Sequence, residues 1–321
     1  MPAEGPPSEG RLPSFLIAGA AKSGTSTLHA MLDDHPDVFI PGHEIYFFSI
    51  DDFQQHPEFF VGRDGGWVDR DYEENTDRYL DWYRGFFADA PPNAILGDDS
   101  TSYLASRRAA GRIRALLPDA KLIFLLRDPA ARTYSQYWHD LRVGRIVEDF
   151  EATLRHAPGT LVQRSLYREQ VTEYVERFPR EQLLFLLFED LARDPTRVLD
   201  TVASFLGLSP AERGVDDSAT HRNPARVPRS MRLQFLRNRL FRDRAAARFH
   251  GHLPGTRASN ALGERVVAGR WVRLNMRRDR RPPDMKEATH RFLDEYFAHE
   301  NAGLADLIGL DVSQDWYLTG R

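Results

Sequence analysis

The sequence predicts an α/β protein of three layers, α/β/α, with helices on both faces of a central parallel sheet. Short apolar runs that end in polar or glycine-containing turns alternate with stretches of helical spacing. The strongest runs, Phe15–Ala20, Lys121–Leu126 and Gln182–Phe188, are nearly continuously apolar instead of alternating. That is the pattern of strands buried on both faces.

The elements follow in chain order. Met1 to Pro13 is rich in Pro, Gly and Glu and has no basic segment leading into an apolar run. It is expected to be a disordered tail and not a signal peptide. Phe15–Ala20 is the first strand. It runs into Ala21–Thr27, after which Leu28, Ala30, Met31 and Leu32 lay an apolar stripe along a helix that His35-Pro36 ends. Val38–Ile40 reads as a short second strand, Asp51–Arg70 as an excursion over the sheet edge, and Tyr79–Phe87 as a helix. Ile95–Asp98 is a strand that stops at acidic residues, with a helix following as far as Leu117. Lys121–Leu126 is the clearest core strand; helices are expected over Thr133–Leu141 and Gln163–Phe178, and a last central strand over Gln182–Phe188. Beyond residue 209 the pattern breaks up into a proline-punctuated stretch, an arginine-dense stretch over Arg237–Arg257 and a helix over Met285–Leu307. The 321 residues are therefore parsed as one domain, 14–321, with an elaborated C-terminal third from about residue 209.

Composition narrows the function. Hydrophobic residues make up 41% and charged residues 28%, enough apolar material for a core. A net charge of −4 argues against general nucleic-acid binding, which usually needs a basic excess. With no cysteine there is no disulfide, no thiolate nucleophile and no Cys-ligated metal. No run approaches the roughly 18 apolar residues of a membrane span, and a cytoplasmic protein is expected.

A strand, a Gly-x4-Gly turn (Gly19 to Gly24) and a helix together form a phosphate cradle, since turn amides and the positive helix end both face an anion placed there. The layout is P-loop-like, but a triphosphate-binding loop places its lysine directly after the second glycine. Here Lys22 lies two positions before Gly24, and hydroxyls crowd the turn at Ser23, Thr25, Ser26 and Thr27. The only candidate for a Mg²⁺-holding acidic strand end is Asp98-Asp99. A loop with one lysine, several hydroxyls and no evident metal ligand suits a donor less charged than a triphosphate, such as a phosphosulfate.

Four segments in fixed order resemble the sulfotransferases that use 3′-phosphoadenosine 5′-phosphosulfate (PAPS), in particular their heparan-sulfate and bacterial branch. They are Phe15–Leu32; His35-Pro36-Asp37-Val38 with Glu44-Ile45-Tyr46-Phe47-Phe48; Lys121–His139; and Ser165-Leu166-Tyr167 through Phe188-Glu189-Asp190. The resemblance covers most of residues 15–206 and implies PAPS as donor, no metal, and a hydroxyl acceptor on a carbohydrate, lipid or small natural product. It places Lys22, with Ser23, Gly24, Thr25, Ser26 and Thr27, around the 5′-phosphosulfate, and Arg127 and Ser135 on the 3′-phosphate. Glu44 falls on the catalytic glutamate. His139, one helical turn beyond Ser135, is a second candidate base. Tyr167 is a candidate for the adenine, and Arg226 and Arg229 for a late loop over the 3′ side.

One departure stands out. Where the branch has Glu-Lys-Ser-Pro-x-Tyr, this chain has Asp98-Asp99-Ser100-Thr101-Ser102-Tyr103, so Asp99 replaces a lysine. Either Lys22 serves the leaving group alone, or the acceptor is not a polyanionic glycan. An atypical P-loop kinase and a catalytically inactive nucleotide- or glycan-binding relative remain as alternatives.

Overall fold

The computed structural model describes residues 10–62, 66–209, 227–246, 253–254, 271, 274–277 and 281–317. Five parallel strands, β1 (Phe15–Gly19), β2 (Val38–Phe39), β3 (Ile95–Asp99), β4 (Lys121–Leu126) and β5 (Leu183–Leu187), form one sheet in the order β2-β3-β1-β4-β5. After β1 the chain builds β2 and β3 to one side, then crosses to build β4 and β5 on the other. The order therefore reverses at β1, and in open α/β sheets the crevice outside the strand ends at such a point takes the ligand.

The strand pleat makes the three layers. Leu16 and Ala18 of β1, with Leu122, Phe124 and Leu126 of β4, point into one apolar cluster; Phe15, Ile17, Ile123 and Leu125 point into another. The first face is covered by α3 (Ala109–Leu116) and α7 (Tyr167–Val175), the second by α1 (Thr25–Asp33) and α9 (Pro195–Leu206). Gly97 of β3 is required by close approach, because a Cβ there would sit 2.2 Å from the Phe15 ring. The remaining helices are α2 (Thr76–Gly85), α4 (Pro129–Val143), α5 (Phe150–His156), α6 (Gly159–Gln163), α8 (Phe188–Arg193), α10 (Met231–Ala246), α11 (Glu287–Glu300) and α12 (Leu304–Ile308). A small antiparallel ribbon pairs β6 (Val227–Pro228) with β7 (Met276–Arg277). No helix among the described residues is long and apolar enough to cross a membrane.

Four expectations are corrected. β5 lies at the sheet edge and not in its middle. The helix expected over 163–178 is the shorter α7, which starts only at Tyr167; α6 ends at Gln163, and Ser165 between them turns its Oγ into a buried network with Arg132 Nε (2.5 Å), Thr133 Oγ1 (2.9 Å) and the Pro129 carbonyl (3.0 Å). The helix expected over 285–307 stops at Glu300 and resumes as α12 after Gly303, whose φ of 83° a helix cannot contain. Residues 10–13 of the expected tail are packed: Arg11 donates to the carbonyls of Pro91 (2.6 Å) and Ala94, and Pro13 is buried. The first nine residues lie outside the described set.

The C-terminal part seals α4. Leu293 and Phe297 of α11 pack with Tyr137, Trp138 and Leu141 of α4, so the helix that leaves the end of β4 is clamped along its outer side.

Candidate active site

The loop between β1 and α1 sits at the sheet's centre. Gly24, just before α1, has φ 88°, and a Cβ there would meet the Phe188 ring at 2.8 Å. Conformation and space both select glycine. No side chain caps α1, which leaves its first amides for an anion. Of the loop hydroxyls, Ser26 is exposed, Thr27 half-buried, and Ser23 and Thr25 buried.

Lys22 adopts a left-handed backbone, φ 71°, uncommon for a residue with a Cβ. Its carbonyl accepts from Arg127 Nη1 at 3.2 Å, and its Nζ lies 3.4 Å from His139 Nδ1. Arg127 closes β4 with its guanidinium 4.5 Å from the centroid of the Phe188 ring. The loop, the end of β4 and α4 therefore meet at Lys22, Arg127 and His139. Ser135 lies on α4 one turn before His139, half-buried and without a hydrogen-bond partner among the described residues.

The charges here are mostly of one sign. Burial, then the Arg142 cation, brings Lys22 down to about 8; Asp140 and Glu44 oppose this and Arg127 adds to it. His139 falls to about 2, through burial first and then Lys22, Arg142, Arg145 and Arg164. Its Nδ1 also lies 3.2 Å from Arg142 Nη2, so a neutral ring accepts there and presents its lone pair to cations. In this arrangement His139 is a neutral acceptor beside Lys22 and Arg142, which makes it a weaker base than a free imidazole. The reading of Tyr167 is corrected. It is fully buried and donates its hydroxyl to the Arg127 carbonyl at 3.0 Å, fixing the strand end beneath the site with no face left for adenine.

Glu44 is tied to the end of β3. Oε1 accepts from Thr101 N at 2.9 Å and from the Thr101 hydroxyl; Oε2 accepts from the Tyr46 hydroxyl. Ser100 Oγ receives the amides of Ile45 (3.1 Å) and Tyr46 (3.0 Å) and donates to Asp98 at 2.7 Å, joining the loop after β2 to the strand. Asp98 also accepts from the hydroxyls of Tyr83 (2.9 Å) and Tyr103 (2.7 Å). Burial raises it to about 6 against the pull of these donors. Its carboxylate is committed to the core and is not a free Mg²⁺ ligand. Asp99 Oδ2 lies 3.0 Å from His29 Nδ1 on α1.

One expected residue stays apart from this set, and another is not described. Arg226 lies outside the described residues. Arg229 is exposed beside the β6–β7 ribbon, its amide donating to the Asn275 carbonyl at 2.6 Å. The sequence reading missed Arg142, which its i+3 spacing from His139 could have shown, and His29, whose partner is 70 residues away. It also missed Asp128, His290 and Asp294, whose ligand atoms lie within 4.8 Å of one another and could hold a metal ion. Asp128 is already committed to the Ala131 amide at 2.6 Å as the N-cap of α4. A shallow apolar depression of about 410 Å³ under Trp67, Phe53 and Phe60 is lined by none of the candidate site residues.

Residues 13–212 match the model of the sulfotransferase family. Human heparan sulfate glucosamine 3-O-sulfotransferase 6 is 32% identical over 215 residues, 65% of this chain and 56% of that protein. Human bifunctional heparan sulfate N-deacetylase/N-sulfotransferase 2 is 26% identical over 314 residues, 93% of this chain and 30% of that protein. The chain thus spans about half the length of the first of these relatives and less of the second. Among solved structures, a sulfotransferase from Alicyclobacillus acidocaldarius superposes with a TM-score of 0.63 at 27% identity, covering 95% of this chain and 98% of the other. With the loop, the strand order and the residues at the strand ends in agreement, the chain belongs to the sulfotransferase family.

Proposed function

We propose that this protein transfers a sulfuryl group from PAPS to a hydroxyl acceptor. The observation that carries the proposal is the convergence of desolvated cations on one loop: Lys22 bonded through its carbonyl to Arg127, and through Nζ to a neutral His139 that Arg142 also engages. Buried cations bonded to neutral groups carry a desolvation cost, and an anion that joins them relieves it. The residues fit the donor: Lys22, Ser26, Thr27 and the open amides of α1 would take its 5′ end, and Arg127 with the Ser135 hydroxyl, unpartnered among the described residues, its 3′-phosphate.

The donor supplies the sulfuryl group. As the acceptor oxygen–sulfur bond forms, the bond from sulfur to the bridging oxygen breaks, and the electron pair leaves with the 3′,5′-bisphosphate. Lys22 stabilises the charge that grows on the departing oxygen. Glu44 takes the acceptor's proton; its two oxygens already accept three hydrogen bonds, which fix its orientation and leave room for about one more donor. Sulfated sugars are what the curated relatives are named for, and a carbohydrate hydroxyl is one acceptor class in this proposal, beside lipid and small natural-product hydroxyls.

The test is calorimetric binding of adenosine 3′,5′-bisphosphate with and without Mg²⁺. Metal-independent binding that is lost in Lys22→Ala supports the proposal. Selective, Mg²⁺-dependent binding of ATP would replace it with the kinase reading.

A further inference from the structure

Asp99 is 7% exposed at the C-terminal end of β3, level with Ile17 of the strand that feeds the loop. Its Oδ2 is bound to His29 Nδ1, while Oδ1 is buried and accepts no hydrogen bond among the described residues. A buried carboxylate oxygen with no donor carries a real cost, and it is relieved when a ligand brings one. The charges acting on Asp99 are His29 and Glu44, and those acting on Lys22 include Glu44, Arg142, Asp140 and Arg127. Glu44 is common to both sets. Glu44 also accepts from the Thr101 amide, two residues beyond Asp99, so the Asp99–His29 pair lies near the carboxylate that takes the acceptor's proton in the sulfotransfer reading.

We propose that Asp99, held by His29, acts with Glu44 as an acidic floor selecting a hydroxyl acceptor that also carries an amine, over a neutral one and most strongly over a sulfated or carboxylated one. The inference rests on the sulfotransfer reading and assigns its acceptor class. Its charge argument depends on the state of the imidazole, the unpartnered Asp99 oxygen being present in both. With His29 neutral the pair adds a negative charge to that of Glu44; with His29 protonated the pair adds none, and in neither state does it offer a cation to an anionic acceptor. The other charge acting on His29, Asp33 on its own helix, is acidic as well. Of the nearby cations, Arg145 is paired with Glu58 at 2.5 Å and Asp140 at 3.5 Å, while Arg164 is bonded to Gln55 at 2.9 Å and Arg142 to His139 at 3.2 Å. An ammonium group would meet both the field and the open Oδ1; a sulfate would meet neither.

The experiment uses the full chain with radiolabelled PAPS and three matched pools of hydroxyl compounds, drawn from sugars and small alcohols, that bear an amine, no charge, or a sulfate or carboxylate. In the unaltered protein the amine pool takes at least about tenfold more label than the anionic pool. Asp99→Asn, close in shape to the native residue, shrinks that ratio to about threefold or less, and Asp99→Lys inverts it. Adenosine bisphosphate binding, unchanged in both variants, shows that each has folded. Preferential labelling of the anionic pool by the unaltered protein overturns the proposal, as does a pool order that Asp99→Asn and Asp99→Lys both leave unmoved. Bisphosphate that fails to bind the unaltered protein removes the sulfotransfer reading itself, so the two failures are told apart.

Discussion

Along one side of the site, where the first loop meets α4, Lys22, Arg127 and Arg142 are bonded to carbonyl and imidazole acceptors that carry no negative charge. Along the other, at the end of β3, the carboxylates Glu44, Asp98 and Asp99 are met by hydroxyl, amide and imidazole donors. On the first side Lys22 and Arg127 are bonded to neutral groups and feel the carboxylates around them, Asp140, Glu44 and Glu189 among them, only through space, whereas the second is a network nearly complete in itself. The difference shows where each substrate enters. An anion is needed on the loop side to settle its cations, whereas the β3 side is already oriented and has one lone pair on Glu44 and one oxygen of Asp99 left to use.

The largest expected effect tests the β3 side. Glu44→Gln keeps the shape and the Thr101 amide bond but removes the proton acceptor, and kcat should fall by about 10²–10⁴-fold. Adenosine bisphosphate affinity should change little, because that ligand is held from the other side. Single-turnover rates together with calorimetry separate the two; equal losses in binding and rate would mean that the sides are not distinct.

Lys22→Ala tests the loop side. Loss of a fixed charge at the leaving oxygen is worth about 10²–10³-fold in kcat, and bisphosphate binding should weaken with it. Arg127→Ala should act more on binding than on rate. A charge-assisted contact to a phosphate contributes about 1.5–3 kcal/mol, hence a rise in Kd of about 10- to 100-fold and a larger effect on the donor's KM than on kcat. A kcat loss in Arg127→Ala as deep as that in Lys22→Ala would move the arginine from the 3′ end to the reacting centre.

The two sides were unequally legible in the sequence. The loop side is written in short segments: an apolar strand, a glycine turn, a lone lysine, and an arginine directly after a second apolar strand. Local spacing and the strand order suffice to bring Lys22 and Arg127 together. What surrounds them is not local. The depression of the His139 pKa depends on Arg145 and Arg164 as well as Lys22 and Arg142, and no spacing rule joins those four. Tyr167 reads as an amphipathic helix aromatic, but only the packed structure shows its hydroxyl spent on the Arg127 carbonyl. On the β3 side, Asp98 belongs to the one acidic strand end the sequence offered a metal, and the three hydroxyls that consume it, from Tyr83, Ser100 and Tyr103, are set by how α2 and the segment after β3 fold over the sheet. The C-terminal helices were the least legible, since α11 is placed by its contact with α4 and carries none of the site's chemistry.

The mildest prediction follows from the desolvation of Lys22, and it sharpens the same comparison. In the free protein its pKa is lowered to about 8, so between pH 7 and 9 the lysine passes from mostly charged to mostly neutral. A bound bisphosphate favours the charged form and raises that pKa. Below pH 8 the lysine is already protonated and binding takes up little from solution. Above pH 8 binding must first restore the proton, and affinity should decline by a factor approaching ten per pH unit until the pKa of the complex is reached. Calorimetry at pH 8.5 in two buffers of different ionisation heat should therefore show uptake of about three-quarters of a proton, and at pH 7 about a tenth. Lys22→Arg, whose side chain stays charged throughout, should flatten the pH dependence even where its different shape weakens binding. A decline that persists unchanged in Lys22→Arg would place the titrating group elsewhere and take away the claim that the loop side holds its cation out of water before the anion arrives.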